Sequence, residues 1–116
     1  MARAHSAAVQ LARDASVFHA LGDRTRLRIV SRLSEGGPLS ITRLTDGARI
    51  TRQAVTKHLH ALASAGLVAS QRAGRERIWQ LQPRRLEEVR RHLAAISRHW
   101  DDAIDRLRAF VETDPR

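Results

Sequence analysis

The chain has 116 residues, enough for one domain with a small core, and its formal net charge of +9 comes from 21 basic and 12 acidic residues. Lacking cysteine, it can form neither a disulfide nor a thiolate metal site, and no apolar run approaches the ~18 residues of a membrane span. No apolar signal region precedes Arg13 and Asp14, so cytoplasmic residence is the expectation.

In chain order, Ala8, Leu11, Ala15 and Phe18 recur at helical spacing and predict a first helix that ends near Gly22. Asp23 is placed to cap a second helix, Arg24 to Leu33, with Leu27, Val30 and Leu33 expected to face inward. Glu35-Gly36-Gly37-Pro38 breaks it. Ser40 caps a short third helix carrying Ile41 and Leu44, which stops around Asp46-Gly47. Thr51 caps the fourth, which runs to about Ala65 before Gly66 ends it. Two strand-like segments follow, Leu67 to Arg72 and Glu76 to Leu81, and the glycine in Ala73-Gly74-Arg75 marks a hairpin between them. Pro83 then opens a long final helix, where the first turn needs no backbone donor from it.

That final helix carries Leu86, Val89, Leu93, Ile96, Trp100, Ala103, Leu107 and Phe110 in alternating steps of three and four. About 28 residues of helix would span roughly 40 Å, longer than the body of so small a domain. Part of the seam therefore needs another helix. The final helix can pack across its own subunit, or the terminal helices of two chains can pair in a two-fold dimer, with the first helix joining them. Aromatic residues make up only 3% of the chain, so the core is aliphatic and thin, and association would help to cover it.

Charge is concentrated on one stretch. From Arg43 to Arg77 there are seven basic residues against two acidic ones, whereas from Asp101 onward the balance is five acidic against three basic. Twenty of the 21 basic residues are arginine, the side chain suited to bidentate contacts with phosphate and guanine. Wound at ~100° per residue, the fourth helix puts Val55, His58, Leu59 and Leu62 on one side and Arg52, Gln53, Thr56, Lys57 and His60 on the other. The first side anchors the helix. The second offers a guanidinium, an amide, a hydroxyl, an ammonium and an imidazole, the groups that read base edges and phosphates in a major groove. A solvated helix surface would account for any one of them, but not for the whole face together with the preceding short helix and the basic hairpin. His58, at the border of the apolar side, is expected to be packed and hydrogen-bonded. Trp79 is expected in the core or half-buried on its strand. In the hairpin Arg72, Arg75 and Arg77 cluster around Gly74, a turn able to enter a narrow minor groove.

These segments, FHALGDRTRLRIVSRL, TRQAVTKHLHALASAGLV and GRERIWQL, resemble the ArsR (arsenic-repressor) family of winged-helix transcriptional regulators. The likeness is tight from Phe18 to Leu81 and looser in the flanking helices. It implies a mainly α fold with a small β-hairpin wing, ordered α-α-α-α-β-β-α, in a single domain over residues 1–116 with dimerisation helices at 8–21 and 84–112. It further implies a homodimeric repressor that binds an inverted-repeat operator through the helix 51–65 and the wing 67–82. By the same likeness Thr51, Arg52, Gln53, Thr56, Lys57 and His60 face double-stranded DNA, with Gly74 and Arg75 at the wing tip. Leu11, Phe18, Leu93, Ile96, Trp100 and Leu107 would form the dimer interface. Metal-sensing members carry paired cysteines on the third helix, where this chain has Leu39-Ser40-Ile41-Thr42-Arg43-Leu44 and no ligand-quality side chain. Glu88 with His92, and His99 with Asp102, lie at helical spacing but do not match the family's zinc spacing, so neither metal nor cofactor is expected. Ser97 to Asp102 looks more like the metal-independent members. An unidentified small-molecule effector stays open.

Two other classes fit less well. A winged-helix protein-interaction module without DNA binding would show an apolar or acidic surface on the fourth helix, and neither is present. Enzymatic catalysis lacks a nucleophile elbow, a glycine-rich phosphate loop or a metal-hydrolase motif.

Overall fold

Three helices start on a side chain that satisfies one of their free amides. The Asp23 carboxylate accepts from the Arg26 N–H at 3.0 Å, the Ser40 hydroxyl from Arg43 at 3.2 Å and the Thr51 hydroxyl from Ala54 at 3.1 Å. The structure, a computed structural model, describes residues 2–113. Its helices are α1 (Ala2–Leu21), α2 (Arg24–Gly36), α3 (Ile41–Thr45), α4 (Arg52–Ser64) and α5 (Pro83–Thr113). Its strands are β1 (Leu39–Ser40), β2 (Val68–Ala73) and β3 (Glu76–Leu81), in an antiparallel sheet of order β1-β3-β2.

The sheet has one strand more than the sequence predicts. Leu39 and Ser40 pair with Trp79 and Ile78, so β3 is central and the wing is tied back to the chain just before α3. A two-residue strand has no periodicity to detect, and its pairing is set by distant residues. The hairpin itself is tighter than expected: Ala73 pairs with Glu76, leaving Gly74 and Arg75 as the connection. Gly74 has φ 65° and no other residue of the connection has positive φ, the pattern of a type II′ turn.

The helix–turn–helix and wing enclose one core, with Leu59, Leu62, Leu67, Val17 and Val55 fully buried and Trp79 only 4% exposed. After α4 the chain reverses at Gly66, φ 80°. The Leu67 N–H reaches the Leu62 carbonyl at 3.0 Å and the Gly66 N–H that of Ala63 at 2.9 Å, which closes the helix and delivers Leu67 to the core. A Cβ on Gly66 would also stand 2.9 Å from the Arg85 Nε, so α5 packs close over this turn.

The inward stripe of α2 differs from expectation. Leu27 is 50% exposed, whereas Ile29 and Leu33 are buried. Arg26 takes the position that continues the stripe toward the N-terminus, and its guanidinium donates to the Ala20 carbonyl and to His58 Nδ1, both at 3.3 Å. A hydrogen-bonded cation at the rim of the core thus displaces the leucine beside it. His58 is half-buried and hydrogen-bonded, as its border position predicts. Only the first turns of α5 rest on this body: Val89 is buried and Leu86 half-buried, while the seam beyond them runs out over solvent.

Candidate nucleic-acid interface

The buried side of α4 holds Val55, Leu59 and Leu62, so the opposite side is turned outward by the same anchoring. Arg52, Gln53, Lys57 and His60 are exposed and Thr56 half-buried. The face is not uniform. Arg52, Thr56 and His60, one turn apart, form one wall of a groove of about 280 Å³ whose other wall is the wing, with Arg75 and Arg77. Gln53 and Lys57 do not line that groove and stand free on the helix surface.

Several of these side chains are already positioned. Arg52 Nη1 donates to the Thr42 hydroxyl at 3.3 Å, linking α4 to α3. The Thr56 hydroxyl donates to the Arg52 carbonyl at 2.9 Å, which leaves it only as an acceptor for an outside donor. Thr51 uses its hydroxyl as the N-cap, so its contribution outward is through the helix N-terminus, where amides and the helix dipole favour an anion. Trp79 lines the groove and its indole nitrogen is buried without a hydrogen-bond partner. His60 stands over it, ring centroids 6.1 Å apart. Thr42 is part of the groove although no residue pattern singles it out, and Arg77, one of the arginines expected around Gly74, lines it as well: Arg77 Nη1 donates to the Ser70 hydroxyl at 2.9 Å, a contact set by strand register.

Electrostatically the groove is one-sided. Three arginines line it against the single carboxylate of Glu76. On the wing Arg72 and Arg77 are direct partners across β2 and β3, a like-charge pairing that costs stability unless an anion relieves it. Gly74 and Arg75 are exposed at the tip.

A helix-turn-helix domain family matches residues 21–71. The HTH-type transcriptional regulator Rv2034 of Mycobacterium tuberculosis is 35% identical over 97 residues, which is 84% of this chain and 87% of that protein. An ArsR-like transcriptional regulator from Rhodococcus sp. RHA1 has the same fold at a TM-score of 0.75, with 35% identity over 89% of this chain and 96% of the other. The chain belongs to the ArsR family of winged helix-turn-helix transcriptional regulators. The relatives of this ArsR-family regulator are transcriptional regulators and not enzymes. A solution structure from Mycobacterium bovis, described as a homodimeric winged helix-turn-helix DNA-binding domain, shares the fold at a TM-score of 0.60 and 24% identity, over 91% of this chain and 92% of the other.

Away from the groove, α1 and α5 of the ArsR-family chain lie side by side. Asp14, buried, meets His92 Nδ1 at 2.8 Å and also accepts from Gln10 at 2.9 Å, and Phe18 sets its edge against the His92 ring. Leu11, Phe18, Leu93, Ile96, Trp100 and Leu107 are all exposed, Trp100 by 66% and Leu107 by 63%. Of the acid and histidine pairs on α5, Glu88 is bonded to Arg85 at 2.9 Å and His92 to Asp14, while His99 and Asp102 are exposed farther along the helix. Among the described residues no three such side chains converge on a metal position. No helix there is long and apolar enough to cross a membrane.

Proposed function

We propose that this regulator is a homodimeric repressor that binds an inverted-repeat DNA operator through residues 51–65 and the wing 67–82. The observation that carries the reading is the groove itself, about 280 Å³ between a helix bearing Arg52, Thr56 and His60 and a wing bearing Arg75 and Arg77, across which the backbone of one DNA strand would lie. The helix enters the major groove with Gln53 and Arg52 on base edges, Lys57 and the backbone amides just after the Thr51 cap on phosphates, and Gly74-Arg75 reaching the adjacent minor groove. Thr56 and His60 complete the reading face. The exposed seam of Leu11, Phe18, Leu93, Ile96, Trp100 and Leu107 supports pairing of two copies through the helices at 8–21 and 84–112. The homodimer described for the structural neighbour from Mycobacterium bovis is in keeping with that arrangement.

The test is selection of duplex fragments from a randomised pool by the purified chain, together with sedimentation equilibrium of the protein alone. The expected result is a dimer and a retained sequence with two-fold symmetry. Retention of sequences with a single unpaired half-site, or a monomer at micromolar concentration, would overturn it. Repression itself is read by placing the selected site across a reporter promoter, where expression of the regulator is expected to lower output.

A further inference from the structure

A second cleft, of about 320 Å³, opens between α2, the α3–α4 turn and the first turn of α4, and it shares no lining residue with the groove beside the wing. Its floor is aliphatic: Ile29, Leu44 and Val55 are buried and Ile50 half-buried. Three guanidiniums, of Arg24, Arg28 and Arg49, line it from exposed positions, and none has a hydrogen-bond or ion-pair partner among the described residues. Arg32 lines it too but is committed, donating to the carbonyls of Leu44 and Arg43 at 2.8 Å and so holding the end of α3. None of the lining residues is acidic.

Small-molecule sites combine a mostly apolar wall with a few convergent polar groups, in volumes upward of about 300 Å³. A DNA phosphate would use these arginines but leave the aliphatic floor unfilled. An organic anion uses both, its apolar body against Ile29, Leu44, Ile50 and Val55 and its head on the guanidinium fork. We propose that this cleft binds a small amphipathic anion, a carboxylate on a short aliphatic or aromatic body, and that its occupancy weakens DNA binding. The coupling rests on the function proposed above; the binding site does not. Ile50 and Val55 bracket Thr51, the cap of α4. A body wedged between α2 and this turn shifts the helix that presents Arg52, Gln53 and Lys57. The bound carboxylate also neutralises positive charge beside the helix N-terminus, which acts in the same direction. Linkage then requires DNA to weaken the anion by the same factor.

Benzoate is the probe, with acetate as an anion without a body and benzyl alcohol as a body without charge, all at constant ionic strength. Methyl NMR of the full chain is expected to show saturable benzoate shifts at Ile29, Ile50 and Val55, with acetate and benzyl alcohol at least about tenfold weaker. Arg28→Gln and Arg49→Gln are expected to lower benzoate affinity about tenfold while leaving the melting temperature unchanged. Equal responses to benzoate and acetate, or shifts at the methyls of Leu93 and Leu107 in place of the cleft, would overturn the site. Fluorescence anisotropy with the selected duplex is expected to show DNA affinity falling by a factor within about 5–150 as the cleft saturates. An unchanged DNA affinity at saturation would overturn the coupling. A chain that binds no duplex would overturn the proposed function, yet the methyl titration would still decide the site.

Discussion

Arg72 and Arg77, opposed across the wing, separate stability from function at the scale of single residues. Removing one charge relieves a repulsion of a few tenths of a kcal/mol and takes a cation from the side proposed to face DNA. Arg72→Gln is therefore expected to raise the melting temperature slightly and to weaken DNA binding, measured by calorimetry and anisotropy on the same protein. A loss of stability would show that the pair is not repulsive. Lys57 and Gln53 stand together outside the groove, and the proposed DNA-bound arrangement gives them different parts. Lys57→Ala is expected to weaken all duplexes alike and to flatten the salt dependence by about two units of log–log slope per dimer. Gln53→Ala is expected to keep the slope and lose about 1–3 kcal/mol of discrimination at particular base pairs. The outward set on α4 was legible from helical periodicity alone, because the apolar side fixes the rotation of the helix. That Arg52 and His60 turn toward the wing while Gln53 and Lys57 do not was illegible, since it depends on where β3 crosses.

Among the elements, α2 shows both what capping determines and what it does not. Asp23 starts the helix, and the Arg26 backbone N–H on its carboxylate is the main reason its pKa is held below the ordinary range, with His58 and the Arg26 side chain adding to it. A lowered folded-state pKa means stabilisation that is complete above the unfolded value and is lost as pH falls through the folded one. Asp23→Ala is expected to lower the melting temperature at neutral pH, with the gap to the parent protein narrowing below the ordinary carboxylate range. A gap that stays constant down to strongly acid pH would refute the charge-based part of the cap. The face of α2 departs from its apolar pattern at Leu27, because an arginine able to bond the end of α1 takes the core rim in place of the leucine. β1 went unseen for a related reason: two residues carry no pattern, and only their pairing with Trp79 and Ile78 makes them a strand.

The whole molecule is too extended for a chain of its size. Its radius of gyration is 19.6 Å and its longest dimension 71 Å, whereas about 13 Å is usual for a compact domain of this length. It exposes 9010 Å², against roughly 6300 Å² expected for a compact monomer of 13.0 kDa. That excess exceeds the ~800 Å² each partner hides in a standard interface, and it coincides with the unpaired seam of α5. Trp100→Glu is expected to convert the protein to monomer in sedimentation and to cost about 10²-fold or more in operator affinity by removing the second half-site's effective concentration. Unaltered sedimentation would relocate the interface. In the proposed dimer the two copies of α4 would match half-sites ~34 Å apart, so inserting five base pairs between the half-sites is expected to abolish tight binding.

By itself the sequence determined what repeats within a few turns of chain: the caps at Asp23, Ser40 and Thr51, the two-sidedness of α4, the hairpin at Gly74 and the length of the apolar seam on α5. These follow from local hydrogen bonding and side-chain periodicity, which act over neighbouring residues. Only the tertiary structure decided the third strand, the Arg26–His58 contact, the groove between helix and wing, and the arginine-rimmed cleft behind α4. Each of those brings together residues distant in the chain, and their meeting is fixed by how the helices cross over a shared core.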